Sequence, residues 1–112
     1  MTTWTDLISP DGFSEQGLVV TNPATGEALA TLRDMSDDEI NAIIAEADQA
    51  RGAWASMTAK ARAAKLKAWN DLILANQETL AQLITAECGK PLAEARGEVV
   101  YGASFLEWFA EE

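Results

Sequence analysis

The stretch Pro91-Leu92-Ala93-Glu94-Ala95-Arg96-Gly97-Glu98-Val99-Val100-Tyr101-Gly102-Ala103-Ser104-Phe105-Leu106-Glu107-Trp108-Phe109-Ala110-Glu111-Glu112 decides how the fold is read. Proline carries the backbone angle of a first helical turn and lacks the N–H that such a turn leaves unpaired. Leu92, Ala95, Val99, Ala103, Leu106 and Phe109 then recur at helical spacing and make one apolar stripe. Tyr101, Phe105 and Trp108 make a second stripe, displaced around the axis. A helix apolar on two sides is normally buried on two sides. Helices upstream can cover one of these faces, so the other expects something beyond them. Glu111 and Glu112 place carboxylates at the negative end of the helix, with no glycine cap and no cation in the last turn. The helix therefore reads as cut, and the chain as a fragment.

Working back from Pro91, Gly89 is placed to end a preceding helix in a left-handed conformation. That third helix starts with Asn76 as its N-cap and carries Leu80, Leu83, Ile84 and Cys88 on one face. The second helix spans about residues 58–76, with Leu66, Trp69 and Ile73 as its stripe. Ahead of it, Ser36-Asp37-Asp38-Glu39 has the S-x-x-E form of a capping box, and its acids suit the positive end of a helix. Ile40, Ile43, Ile44, Ala47 and Trp54 follow on one face; Gly52 is expected to end this first helix and leave Trp54 in the connection. Residues 17–32 read as a β-hairpin: Leu18 to Thr21 is β-rich, Asn22-Pro23-Ala24-Thr25-Gly26 is turn chemistry, and Ala28 onward returns. Residues 1–16 show no period and are expected to form a loose arm. The chain is thus mostly α, about four helices behind a small hairpin.

With 112 residues the chain is long enough for one small domain. A formal charge of −10 disfavours nucleic acid and anionic membrane surfaces as partners. The N-terminus lacks the basic and apolar regions of a signal peptide, and no apolar run is long enough to span a bilayer. The single cysteine cannot form an internal disulfide, which fits a reducing cytoplasm. Histidine is absent, which removes the commonest general base and zinc ligand.

No motif for chemistry survives inspection. Cys88 is the only thiol, but a reactive cysteine wants a histidine, a cation or a helix N-terminus. Cys88 instead falls near a helix C-terminus with Lys90 alone nearby, so it is expected to be a small core residue. Lys60, Arg62, Lys65 and Lys67 are spread around their helix as a solvated surface. Asp37, Asp38 and Glu39 are accounted for by the capping box, and no metal-ligand set is apparent. The glycines occur singly, without a G-x-G-x-x-G or Walker loop.

Several strings in order resemble the aldehyde dehydrogenase superfamily. They are Thr21-Asn22-Pro23-Ala24-Thr25-Gly26-Glu27, Trp54 followed by Ala61-Arg62-Ala63-Ala64-Lys65-Leu66, and Glu87-Cys88-Gly89-Lys90-Pro91-Leu92. The segment from Ala93 through Tyr101 and Phe105 to Glu112 is especially similar to succinate-semialdehyde dehydrogenases. The resemblance implies an α/β parent enzyme, with residues 17–112 as the N-terminal part of its coenzyme-binding domain, cut within the fourth helix. It implies oxidation of an aldehyde, such as succinate semialdehyde, to its acid with NAD or NADP, in a homo-oligomer. The family's catalytic cysteine, its glutamate and its coenzyme motif correspond to positions downstream of Glu112, so the chain alone is expected to be inactive and to bind no cofactor. Cys88 matches the variable position of the E-x-G-K-P corner. Tyr101, and after it Phe105, are implied to line the aldehyde tunnel, or else to pack against the remainder of the coenzyme-binding domain. The alternative is a stand-alone helical interaction module that uses the Tyr101, Phe105 and Trp108 face as a groove.

Overall fold

The computed structural model describes residues 12–112, so residues 1–11 of the expected arm lie outside the described residues. Two strands, β1 (Phe13–Thr21) and β2 (Ala28–Leu32), pair antiparallel. Four helices follow: α1 (Asp37–Ser56), α2 (Ala59–Ala75), α3 (Gln77–Cys88) and α4 (Leu92–Glu111). The strand begins inside the segment expected to be loose. Phe13 and Leu18 both register with Leu32, so the intervening residues bulge out and hide the period-2 signal from a sequence reading. Gly17 sits in this bulge at φ +145°, where a Cβ would stand 2.0 Å from the Leu32 carbonyl oxygen. At the other end, Asn22 closes the turn: its side chain accepts from the Ala24 N–H at 2.9 Å and its carbonyl from the Gly26 N–H at 2.7 Å.

The capping box at α1 forms as the spacing predicts. The Ser36 hydroxyl accepts from the Glu39 N–H, and the Glu39 carboxylate accepts from the Ser36 N–H at 2.8 Å. Gly52, however, does not end the helix. α1 continues through Trp54 to Ser56, whose hydroxyl donates to the Ala53 carbonyl at 2.8 Å. A single glycine costs a helix only about 1 kcal/mol, less than is needed to break one that continues on both sides. Thr58 caps α2 by accepting from the Ala61 N–H at 3.2 Å. Asn76 stands between α2 and α3 but makes no side-chain cap for α3; its amide donates backward to the Leu72 carbonyl at 2.8 Å. Gly89 ends α3 at φ 71°, as expected.

α4 packs across α2 and α3. Ala81 and Ala95 are fully buried there with Val99, and Ile73, Leu80, Ile84 and Leu92 are half-buried around them. Ala103 and Ala110 extend the same face of α4. Close approach between helices rests on these small side chains, and among the described residues no large side chain is fully buried. α1 buries no residue, and its Ile40, Ile43 and Ile44 face is exposed.

Candidate functional site

The corner at Gly89 aims α4. The Pro91 carbonyl accepts from the Glu94 and Ala95 N–H groups, both at 3.0 Å, and so starts the helix one residue before its first full member. Lys90 reaches forward to Glu98 at 2.8 Å, and this bond raises the lysine pKa above its ordinary value. The first stripe of α4 then faces α2 and α3, with one change from the expected set. Ala110 is buried at the C-terminal end, whereas Phe109 is exposed. The second stripe points away from every packed element. Tyr101 is 66% exposed and Trp108 65%, with Phe105 between them.

Tyr101 and Phe105 stand one helical turn apart and meet edge to face, with ring centroids 5.0 Å apart at 83°. The Ser104 hydroxyl donates to the Tyr101 carbonyl at 2.7 Å and is thereby occupied within the helix. Tyr101, Phe105, Trp108 and Phe109 line an open concavity of about 740 Å³. All of its lining residues belong to α4 and the residue that follows it, so the concavity has one wall. By itself it encloses nothing.

Polar contacts that no local spacing announces hold this helix in place. Arg96 bonds Glu78 of α3 with both prongs of its guanidinium, at 2.7 and 2.9 Å. That bond lowers the Glu78 pKa and raises that of Arg96. Lys67 of α2 pairs with Glu111, which supplies in space the cation that the last turn of α4 lacks in sequence. The partners are too far apart along the chain for an i, i+4 rule to find them. The basic run of α2 does not act as one patch: Lys67 serves Glu111, and Arg62 donates to the Met57 carbonyl at 2.6 Å.

Cys88 departs from its expected core position and is exposed. It is the last residue of α3, where the chain turns through Gly89 and leaves the apolar face without a neighbour to continue it. Among the described residues no group of three His, Cys, Asp or Glu side chains could hold a metal ion. The step from β2 into α1, where a pyrophosphate would need bare N–H groups, carries Asp37, Asp38 and the closed capping box of Glu39. No helix is long and apolar enough to cross a membrane among the described residues.

Residues 9–112 match the model of the aldehyde dehydrogenase family. The chain belongs to the aldehyde dehydrogenase family. It is 53% identical over 102 residues to a glutarate-semialdehyde dehydrogenase of Pseudomonas putida, covering 91% of this chain and 21% of that protein. It is 49% identical, with the same coverage, to an NADP(+) succinate-semialdehyde dehydrogenase of Escherichia coli. The crystal structure of a succinate-semialdehyde dehydrogenase from Burkholderia pseudomallei superposes with a TM-score of 0.83 at 49% identity, over 87% of this chain and 20% of that one. The chain thus spans about a fifth of the length of the aldehyde dehydrogenases it matches. Two of the strings that carried the resemblance touch in space: a Cβ on Gly89 would stand 3.2 Å from Cγ of Pro23. The hairpin turn therefore lies against the E-x-G-K-P corner at Gly89.

Proposed function

We propose that residues 17–112 form the N-terminal part of the coenzyme-binding domain of an NAD- or NADP-dependent dehydrogenase. The enzyme oxidises a short aldehyde that carries a distal carboxylate, succinate or glutarate semialdehyde, to the corresponding diacid. In this reading the catalytic thiol, the water-activating glutamate and the coenzyme cradle are supplied by sequence outside this chain, in a cytoplasmic homo-oligomer. Tyr101 lines the path of the aldehyde and Phe105 braces it through their edge contact. The observation that carries the reading is the one-walled aromatic face of α4, in a chain about half identical to semialdehyde dehydrogenases. A stand-alone binding module leaves that identity without an account.

The test is a chimaera in which residues 9–112 replace the matching fifth of the P. putida relative. The expected result is reduction of NAD+ or NADP+ with both semialdehydes, and none with the unextended chain. Tyr101→Ala in the chimaera is expected to change KM for the semialdehyde more than kcat, because a tunnel wall contributes mainly uniform binding. A folded chimaera without turnover would defeat the reading.

A further inference from the structure

We propose that Arg96 is a positioning residue: its two-pronged bond to Glu78 fixes the rotation of α4 and so aims Tyr101. The inference rests on the tunnel reading above and adds a determinant that touches no substrate. Its starting point is the character of the interface. Ala81, Ala95 and Val99 form the buried seam, with Ile73, Leu80, Ile84 and Leu92 half-buried around it, and Ala103 and Ala110 are also buried on α4. The fully buried members of this seam are alanines, which present little side chain to interlock between ridges and grooves. Rotating a helix by about 20° would carry a side-chain tip at its roughly 5–6 Å outer radius through about 2 Å. Such a shift is enough to alter which aldehyde length fits beside Tyr101.

The polar contacts outside the apolar seam lie where they can supply direction. Arg96 immediately follows buried Ala95, at the rim of the seam. Glu78 holds its guanidinium at 2.7 and 2.9 Å, and Gln77 donates to its backbone carbonyl at 3.2 Å. The first turn of α3 thus grips one residue of α4 by both side chain and main chain. At the far end Glu111 is tied to Lys67 on α2. Tyr101 and Phe105 lie between these two braces. A guanidinium–carboxylate fork is planar and directional in a way that an ammonium is not. Arg96→Lys would keep the charge and lose the angle.

The experiment measures kcat/KM for succinate and for glutarate semialdehyde in the chimaera carrying Arg96→Met, Arg96→Lys, Glu78→Gln or Tyr101→Ala. Thermal midpoints are recorded alongside. The expected result is that Tyr101→Ala and Arg96→Met both move the ratio of the two specificity constants, on the order of tenfold. Arg96→Lys and Glu78→Gln should shift it in the same direction by less. The exchange Glu78→Arg with Arg96→Glu should bring the ratio back toward the starting value. If Tyr101→Ala moves the ratio while every Arg96 and Glu78 variant only lowers the thermal midpoint, the bridge is structural glue and the positioning role is overturned. If Tyr101→Ala leaves the ratio unmoved, the tunnel reading fails and the positioning role fails with it.

Discussion

Glu39 shows how much one side chain can organise. Its carboxylate takes the Ser36 N–H at 2.8 Å, the Ser36 hydroxyl at 3.0 Å and a guanidinium N–H of Arg33, and so couples the end of the hairpin to the start of α1. The Arg33 bond, then the Ser36 backbone bond, then the Ser36 hydroxyl lower its pKa from 4.5 to about 2. A depressed carboxylate contributes stability that is present above its ordinary value and lost as pH falls toward the depressed one. The chain should therefore lose helical signal between about pH 4.5 and 2 in part through this group. Glu39→Gln should flatten that part of the profile when circular dichroism is followed against pH; profiles that fall in parallel would contradict it. Gly89 makes a separate prediction. At φ 71°, with Pro23 against the missing side chain, Gly89→Ala combines backbone strain with a tight contact. A loss of about 1–2 kcal/mol is expected in denaturant titration. Asn, which tolerates the left-handed region, should cost less than Ala. The exposure of Cys88 was not legible, because a helical wheel shows a face and not where the covering helix departs. Native chain should accordingly react with a maleimide as fast as unfolded chain; strong protection would place Cys88 under cover.

At the scale of elements, local chemistry spoke at most caps and corners, though Asn76, read as the cap of α3, turns its amide back to the Leu72 carbonyl instead. The Ser36 box and the Gly89 turn form where they were expected, and α2 starts beside residue 58 as its spacing predicts. Signals that depend on what is absent nearby were weaker. Gly52 is a breaker only when its neighbours cannot continue, and here Ala53 to Ser56 can. The bulge at Gly17 breaks strand alternation and so concealed the first residues of β1. The ion pairs that brace α4 were illegible, since their partners meet only through tertiary packing. Two expectations follow from how unevenly the helices are covered. α1 is fully formed but buries nothing, so its amides should exchange with solvent well before those at the centre of α2, α3 and α4. Equal protection across all four helices would mean that α1 is held by more than its own hydrogen bonds. Ala95, at 0% exposure, leaves no room for growth. Ala95→Leu should separate α4 from α3 and cost about 1–3 kcal/mol, measured by chemical denaturation.

For the whole molecule, the numbers describe a structure that is open relative to its mass. The accessible surface is 8222 Å², where a compact monomer of this size would expose on the order of 6000 Å². The radius of gyration is 16.9 Å, against about 13 Å for a compact chain of this length. Large apolar side chains are exposed on several elements, among them Trp69 and Leu72 of α2, the Ile40, Ile43 and Ile44 face of α1 and the Tyr101, Phe105 and Trp108 face of α4. Exposed patches of this kind mark surfaces meant for burial. The net charge of −10 opposes collapse of one copy on another, but at ordinary salt its repulsion is screened beyond about 8 Å and does not reach across an apolar contact. The isolated chain should therefore associate as its concentration rises, and association should persist when salt is added. Sedimentation velocity across a concentration series is the measurement. Trp108→Glu with Phe105→Glu should return the chain toward monomer, since like charges would then face each other across the contact. The matching pair Ile40→Glu with Ile44→Glu separates the contribution of α1. A chain that stays monomeric at all concentrations, with a sharp melt, would show that the aromatic face is stable in water, and the need for a second wall would disappear. Association relieved by the α4 pair and not by the α1 pair would instead identify the aromatic face as the surface that requires cover.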